Sequence, residues 1–221
     1  MRRDRHLRCA LAGLCLLPGG CSGLLGGGSR ADLYRFGVPP AVAAPAVQPD
    51  AARPVLILFS GANFEPAIDG DRILTVTGNR AAYVARARWI SPAEDLFDDA
   101  ARRAFDQLMS SPRLVRLIGV PHPDYALGIE VRRFEADYAR GGGAPPEVVI
   151  ETRVRLMRWA DRAIVGEWPV VSRERARENR VAAIVDAFDR GSATVVARIA
   201  ELTREAVARN PAPAMADQPR R

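Results

Sequence analysis

Ile73–Leu108 reads ILTVTGNRAAYVARARWISPAEDLFDDAARRAFDQL. Ile73–Thr77 alternates apolar and polar residues, the period of a strand. Gly78-Asn79-Arg80 is a short turn, because Gly and Asn adopt positive φ at little cost. Ala81–Trp89 alternates again, placing Tyr83, Ala85, Ala87 and Trp89 on one face and Val84, Arg86 and Arg88 on the other. The period then changes to that of a helix. Ser91-Pro92-Ala93-Glu94 has the form of a capping box with Pro at the first helical position, Ser91 and Glu94 serving each other's backbone amides. The helix that follows aligns Leu96, Phe97, Ala100, Ala104 and Leu108 on one face. A hairpin, a tryptophan and a capped helix in succession predict a packing unit.

The flanking segments extend this pattern in both directions. Before it, Asp32–Pro39 is a short strand-like segment, and 40–54 is an Ala/Pro-rich extended connection. Val55–Phe59, VLILF, reads as a strand buried on both faces. Ser60–Arg72 reads as a loop. After it, Arg113–Val120, Tyr125–Tyr138, Val148–Trp159 and Ile164–Val171 read as strands, separated by turns at His122-Pro123, GGGAPP (141–146) and Asp161-Arg162. In Val148–Trp159, Val148, Ile150, Val154 and Leu156 face one way and Glu151, Arg153 and Arg155 the other. Polar Ser172–Arg180 leads into a second helix with a stripe of Val181, Ile184, Val185, Phe188, Val195, Ile199 and Leu202, interrupted by Gly191 as if at a bend. Strands, helix, strands, helix with short connections predict an α+β fold, an antiparallel or mixed sheet with two long helices on one face, in a single domain.

The chain of 221 residues suits one domain plus tails. All its basic residues are Arg, and the net charge is +6, of which residues 1–20 contribute +3. The remainder is too small, and too little clustered with aromatics, to predict a nucleic-acid surface. Met1–Arg8 is basic, and Cys9–Leu17 (CALAGLCLL) is an apolar run too short to span a bilayer, followed by Pro18-Gly19-Gly20-Cys21. This is the layout of a secretory signal cut before a cysteine that becomes lipidated, with Pro18 where the usual pattern has Leu. The other reading is an ordinary signal peptide cut elsewhere. The expected boundaries are a signal peptide at 1–20, a lipidated Gly-rich tether at 21–31, a domain at 32–209 and a disordered tail at 210–221. Cys9 and Cys15 leave with the signal and Cys21 carries lipid, so the mature domain has no thiol for a disulfide or metal.

No catalytic constellation emerges. His6 leaves with the signal, and His122 in VPHPD reads as a surface turn residue. A single histidine without a thiol does not build a Ser-His-Asp, Cys-His or multi-His arrangement. There is no GxGxxG and, without Lys, no P-loop. Glu94-Asp95 and Asp98-Asp99 sit in the first turns of a helix, where they complement its dipole. Glu65, Asp69 and Asp71 read as a solvated loop before they read as a cation site. Trp89, Trp159 and Trp168 read as packing residues before a ligand groove. Arg86 with Arg88, and Arg153 with Arg155, read as solvated strand faces before an anion site. No cofactor, metal or catalytic residue is expected.

The order of these parts resembles the ABC-type transport auxiliary lipoproteins, the group that includes the lipoprotein of the Pqi system. The resemblance runs from about Asp32 to Ala206. It rests on GGCSGLLGG, on LYRFG, on the hairpin–Arg88-Trp89–helix core, on FEADY at Phe134–Tyr138 and on the helix VAAIVDAFDRGSATVVARIAELT. The resemblance implies a non-enzymatic lipoprotein at the periplasmic face of the outer membrane, anchored through Cys21. Its implied partners are an Mce-domain protein with its ABC permease and ATPase, in a system that moves lipid between membranes, and further copies of itself in a ring. Ser22 after the cysteine, where Asp would favour inner-membrane retention, agrees with outer-membrane sorting. A periplasmic lipid- or ligand-binding lipoprotein and an outer-membrane assembly lipoprotein are the alternatives.

Overall fold

The computed structural model describes residues 30–37, 53–107, 112–116 and 122–212. The chain divides into two units, Met1–Arg30 and Ala31–Arg221, and all the described secondary structure belongs to the second. It is an α+β domain, with a mixed sheet of nine strands and two helices among the described residues. The strands are β1 (Asp32–Tyr34), β2 (Leu56–Leu58), β3 (Ala62–Phe64), β4 (Arg72–Thr77), β5 (Arg80–Trp89), β6 (Arg113–Val115), β7 (Tyr125–Asp137), β8 (Glu147–Arg158) and β9 (Ile164–Arg175). The helices are α1 (Ala93–Gln107) and α2 (Val181–Arg209).

The sheet is built on β7. Along one edge β8 pairs antiparallel over the whole length, from Tyr125↔Arg158 to Asp137↔Glu147, and β9 pairs antiparallel with β8. The other edge is divided among three short strands, all parallel to β7 and in chain order. Strand β2 takes Tyr125–Ala126, β3 takes Ile129–Val131 and β4 takes Glu135–Asp137. Strand β6 extends the sheet beyond β2, β5 beyond β4, and β1 beyond β5. The hairpin expected at Gly78-Asn79 forms, with Gly78 at φ 61°.

Four expectations are corrected. Ser60–Arg72 is not all loop, because Ala62–Phe64 forms β3. The short connections expected between neighbouring strands hold for the β4–β5 and β7–β8–β9 hairpins, but β2, β3 and β4 pair in parallel with β7 across intervals of more than fifty residues. The alternation across 81–89 breaks at a bulge. Tyr83 pairs with Leu74 but Arg88 with Arg72, and the surplus residues include Arg86 at φ 57°, so Ala85 is exposed rather than inward. Helix α2 runs unbroken through Gly191, which serves close approach: a Cβ there would lie 3.1 Å from Ile150 Cδ1.

A second bulge, at Arg132, explains the burial of β7. Tyr125, Leu127, Ile129 and Val131 face inward on odd positions, and after the extra residue Phe134 and Ala136 do so on even ones. These residues, with Val148, Ile150, Thr152, Val154 and Leu156 of β8, form the face that the helices cover. From α1 come Phe97, Ala100, Ala101 and Phe105; Leu108 lies outside the described residues. From α2 come Ile184, Phe188, Val195 and Ile199 among others. At the centre Trp89, 2% exposed, meets Phe36 at 5.0 Å and Phe188 at 5.3 Å edge-on, while Phe134 joins Phe188 at 4.8 Å and Phe64 at 5.7 Å. Offset and edge-on pairs of this kind add to the energy of burial alone.

The start of the domain is fixed between the helices. Gly37 has φ 73°, and a Cβ there would meet Ala100 Cβ at 2.8 Å, so only glycine lets this segment lie against α1. Its N–H donates to Asp189 Oδ1 on α2 at 2.6 Å, and its carbonyl accepts from Arg103 on α1. The far end is ordered further than expected. Asn210 closes α2, its carbonyl accepts from the Tyr125 hydroxyl, and Ala212 packs on the core, while residues 213–221 of the expected tail lie outside the described residues.

Candidate functional site

Of the acidic residues that open the first helix, Glu94 and Asp98 have structural partners, and Asp95 and Asp99 are exposed. Helix α1 opens at Ala93, whose N–H donates to the Gly70 carbonyl at 2.8 Å. The Glu94 side chain hydrogen-bonds that of Asp69. Burial holds the Glu94 carboxyl above the usual glutamate range, and the hydrogen bond and charge of Asp69 push it the same way. Asp98 Oδ1 accepts from the Ala62 backbone N–H at 2.7 Å. Burial raises its pKa as well, with the Ala62 N–H and Arg102 opposing. Asp71 pairs with Arg88 at 2.8 Å, and the Glu65 carbonyl accepts from Ile68 and Asp69 in a turn. Among the described residues no group of His, Cys, Asp and Glu is arranged to hold a metal.

His122 is exposed. Its neighbour Asp124, which the sequence did not single out, accepts from the Leu56 N–H at 2.8 Å and from Arg53 at 3.1 Å and so fastens β2 to the start of β7. Trp89 is core, and Trp159 is half-buried, its N–H bonded to the Asp124 carbonyl. Trp168 lies flat over Gly166, where any Cβ would fall within the indole ring. The four catalytic ingredients most often needed, a nucleophile, a base, an orienting group and a cradle, are not brought together at any of these places.

The sheet face away from the helices is a lattice of ions. Glu167 accepts from Arg153 at 2.8 Å and Arg155 at 3.4 Å, Glu147 from Arg173 at 3.4 Å, and Arg133 bridges Glu135 at 2.5 Å and Asp137 at 3.3 Å. The more exposed pairs at Glu167 and Glu147 contribute about 0–1 kcal/mol each, whereas those of Arg133 with Glu135 and Asp137 are part-buried. Their arrangement leaves a shallow groove of about 460 Å³ where β7 carries Ala126 and Gly128, walled by Arg153, Arg155 and Met157 of β8 and by Asn63 of β3. The arginines expected as a solvated face are thus half-neutralised neighbours of a groove. At the opposite end of this face, on β1 and just after β5, Leu33 and Ile90 are the two most exposed large apolar residues among those described, at 62% and 57%.

Cys21, the leader and tether through 29, and the linker at 38–52 lie outside the described residues. No helix among the described residues is long and apolar enough to cross a membrane.

The fold is shared with solved structures. The DUF330 protein XCC0632 from Xanthomonas campestris is 26% identical, with a TM-score of 0.66 over 80% of this chain and 98% of its own. A second crystal structure, titled only as an uncharacterized protein, is 15% identical with a TM-score of 0.57, covering 78% of this chain and 97% of its own, and supports the fold alone. A comparison with curated proteins found no match. The profile described as ABC-type transport auxiliary lipoprotein component matches residues 38–200, from the linker after β1 to the last third of α2, and the chain belongs to that family.

Proposed function

We propose that this chain is a non-catalytic, lipid-anchored subunit of an Mce-type ABC system that moves lipid between the two membranes of the envelope. The observation that carries the reading is the family match over residues 38–200, joined to a signal-like sequence at 1–20 directly before Cys21. Cys21 is the lipidation site and Ser22 directs the protein to the outer membrane. Non-catalysis is supported by the commitment of Asp98, Asp124 and Glu167 to backbone amides and arginines, and by the isolation of His122 on the surface. Any ATP dependence belongs to the partners. Several acyl chains on one cysteine make a lasting anchor, since a single chain gives only marginal binding. The domain then meets its partner at high local concentration.

A carrier reading has one observation on its side, the groove beside Arg153 and Arg155, which suits an amphiphile with an anionic head. One experiment separates the readings. Tagged full-length protein is captured in detergent from its own membranes, and its partners are identified by mass spectrometry. Recovery of an Mce-domain protein with permease and ATPase supports the transport subunit. Recovery of bound lipid alone favours the carrier, and of a β-barrel alone the assembly lipoprotein. Cys21→Ala in the same preparation is expected to leave the fold intact and to abolish membrane retention.

A further inference from the structure

The open face of the β1–β5 edge carries a patch that packing does not explain. Leu33 pairs with Arg88 across the parallel β1–β5 ladder, and the Ile90 N–H bonds the Tyr34 carbonyl at 2.8 Å. Strand alternation therefore puts Leu33, Arg35, Arg88 and Ile90 on one side, away from buried Trp89 and Phe36. Arg72, opposite Arg88, extends the patch inward and lies over the Tyr83 ring at 3.8 Å. Asp71 neutralises Arg88, but Arg35 and Arg72 pair with no carboxylate among the described residues. Two exposed aliphatic side chains inside a basic rim are the composition of a surface that enters the headgroup layer of an anionic membrane.

The course of the chain favours a membrane over a protein partner. Nine residues separate Cys21 from Ala31, where the domain begins. Their covalent length limits the Cα–Cα distance from Cys21 to Ala31 to about 36 Å. Chain length alone keeps the start of β1 within that reach of a lipid on Cys21. Gly37, clamped by Asp189 and Arg103 just after β1, fixes that strand's approach to the body. We propose that the β1–β5 edge, through Leu33, Ile90, Arg35 and Arg72, docks on anionic lipid headgroups and sets the orientation of the domain on the membrane. This rests on lipidation at Cys21.

The acylated full-length protein offers a direct test, because its mature form has no other thiol once Cys21 is modified. Leu33→Cys, Ile90→Cys and Val171→Cys are made singly, labelled with an environment-sensitive dye and reconstituted into phosphatidylcholine vesicles with or without phosphatidylglycerol. Val171 is the control, exposed on the same face but at the β9 edge, five strands and about 24 Å away. The expected result is strong quenching by nitroxide-bearing lipid at 33 and 90, weak quenching at 171, and loss of the contrast without phosphatidylglycerol or at high salt. Arg35→Glu added to the labelled protein is expected to lower the docked-to-free ratio at least about fivefold. A lipid adduct on Cys21 in the mass spectrum with equal quenching at all three sites overturns the docking and leaves the anchor standing. Label-to-label contact between copies at 33 and 90 without lipid quenching assigns the patch to self-association and overturns it too. Absence of the lipid adduct removes the anchor and this orientation together.

Discussion

Asp98 on the second turn of α1 accepts a 2.7 Å hydrogen bond from the backbone N–H of Ala62, the first residue of β3. Gly61, at φ 121°, lies so close that a Cβ would reach Asp98 Oδ2 at 2.8 Å. Asp98→Ala leaves that amide without its acceptor and is expected to cost about 1–3 kcal/mol. Asp98→Asn keeps an acceptor oxygen and costs less. Urea unfolding midpoints of the two variants test the order, and equal midpoints would mean that β3 is held by β7 alone.

Glu94 gives the domain a pH dependence of definite sign. Its carboxyl is held above the ordinary value of 4.5, first by burial and then by Asp69. The folded state therefore binds the proton more tightly than the unfolded chain. That contribution to stability is fully present below the unfolded pKa and is lost as pH rises through the folded one. Glu94→Gln removes the ionisation, so the variant should gain on the natural protein across that interval and keep its advantage at neutral pH. Melting temperatures measured side by side from acid to neutral pH decide it; a constant difference contradicts the assignment.

Trp89→Ala should destabilise the domain by about 3–5 kcal/mol. The indole is 2% exposed and joins Phe36 of the first segment to Phe188 of α2 through two edge-on contacts. A near-neutral shift in melting would show that the body does not close around this residue.

Gly166→Ala is the smallest change with a large expected effect. The added methyl would occupy the place of the Trp168 ring, which must swing away from β9. Overpacking of this kind costs about 1–3 kcal/mol. Tryptophan emission should shift toward that of an exposed indole, and an unchanged spectrum with unchanged stability would refute the stacking.

The elements written in local periodicity were legible in the sequence. Helices α1 and α2, the β7–β8–β9 meander with its turns at GGGAPP and Asp161-Arg162, and the β4–β5 hairpin each repeat a pattern over many residues or carry turn chemistry, as at Gly78 and at Arg162 with φ 57°. Strand β3 was not legible, because three residues are too few for a period and its partner Ile129–Val131 lies more than sixty residues away. The bulges at Arg86 and Arg132 were invisible for a related reason. An extra residue is recognised only against the strand it fails to match. Gly191 read as a bend because its true constraint, Ile150, is on another element.

The same division holds for the candidate site. The sequence by itself determined the fold class and, through the order of GGCSGLLGG, LYRFG, Arg88-Trp89 and the last helix, the family resemblance; it also supplied Cys21 as the candidate anchor. These depend on composition and on spacing along the chain, which need no partner in space. Only the tertiary structure decided that three short strands share one edge of β7, that Arg153 and Arg155 border a groove, and that Leu33 and Ile90 meet on one exposed face although 57 positions separate them. Pairing register across the sheet creates those neighbours, and no local pattern encodes a register set by distant backbone hydrogen bonds.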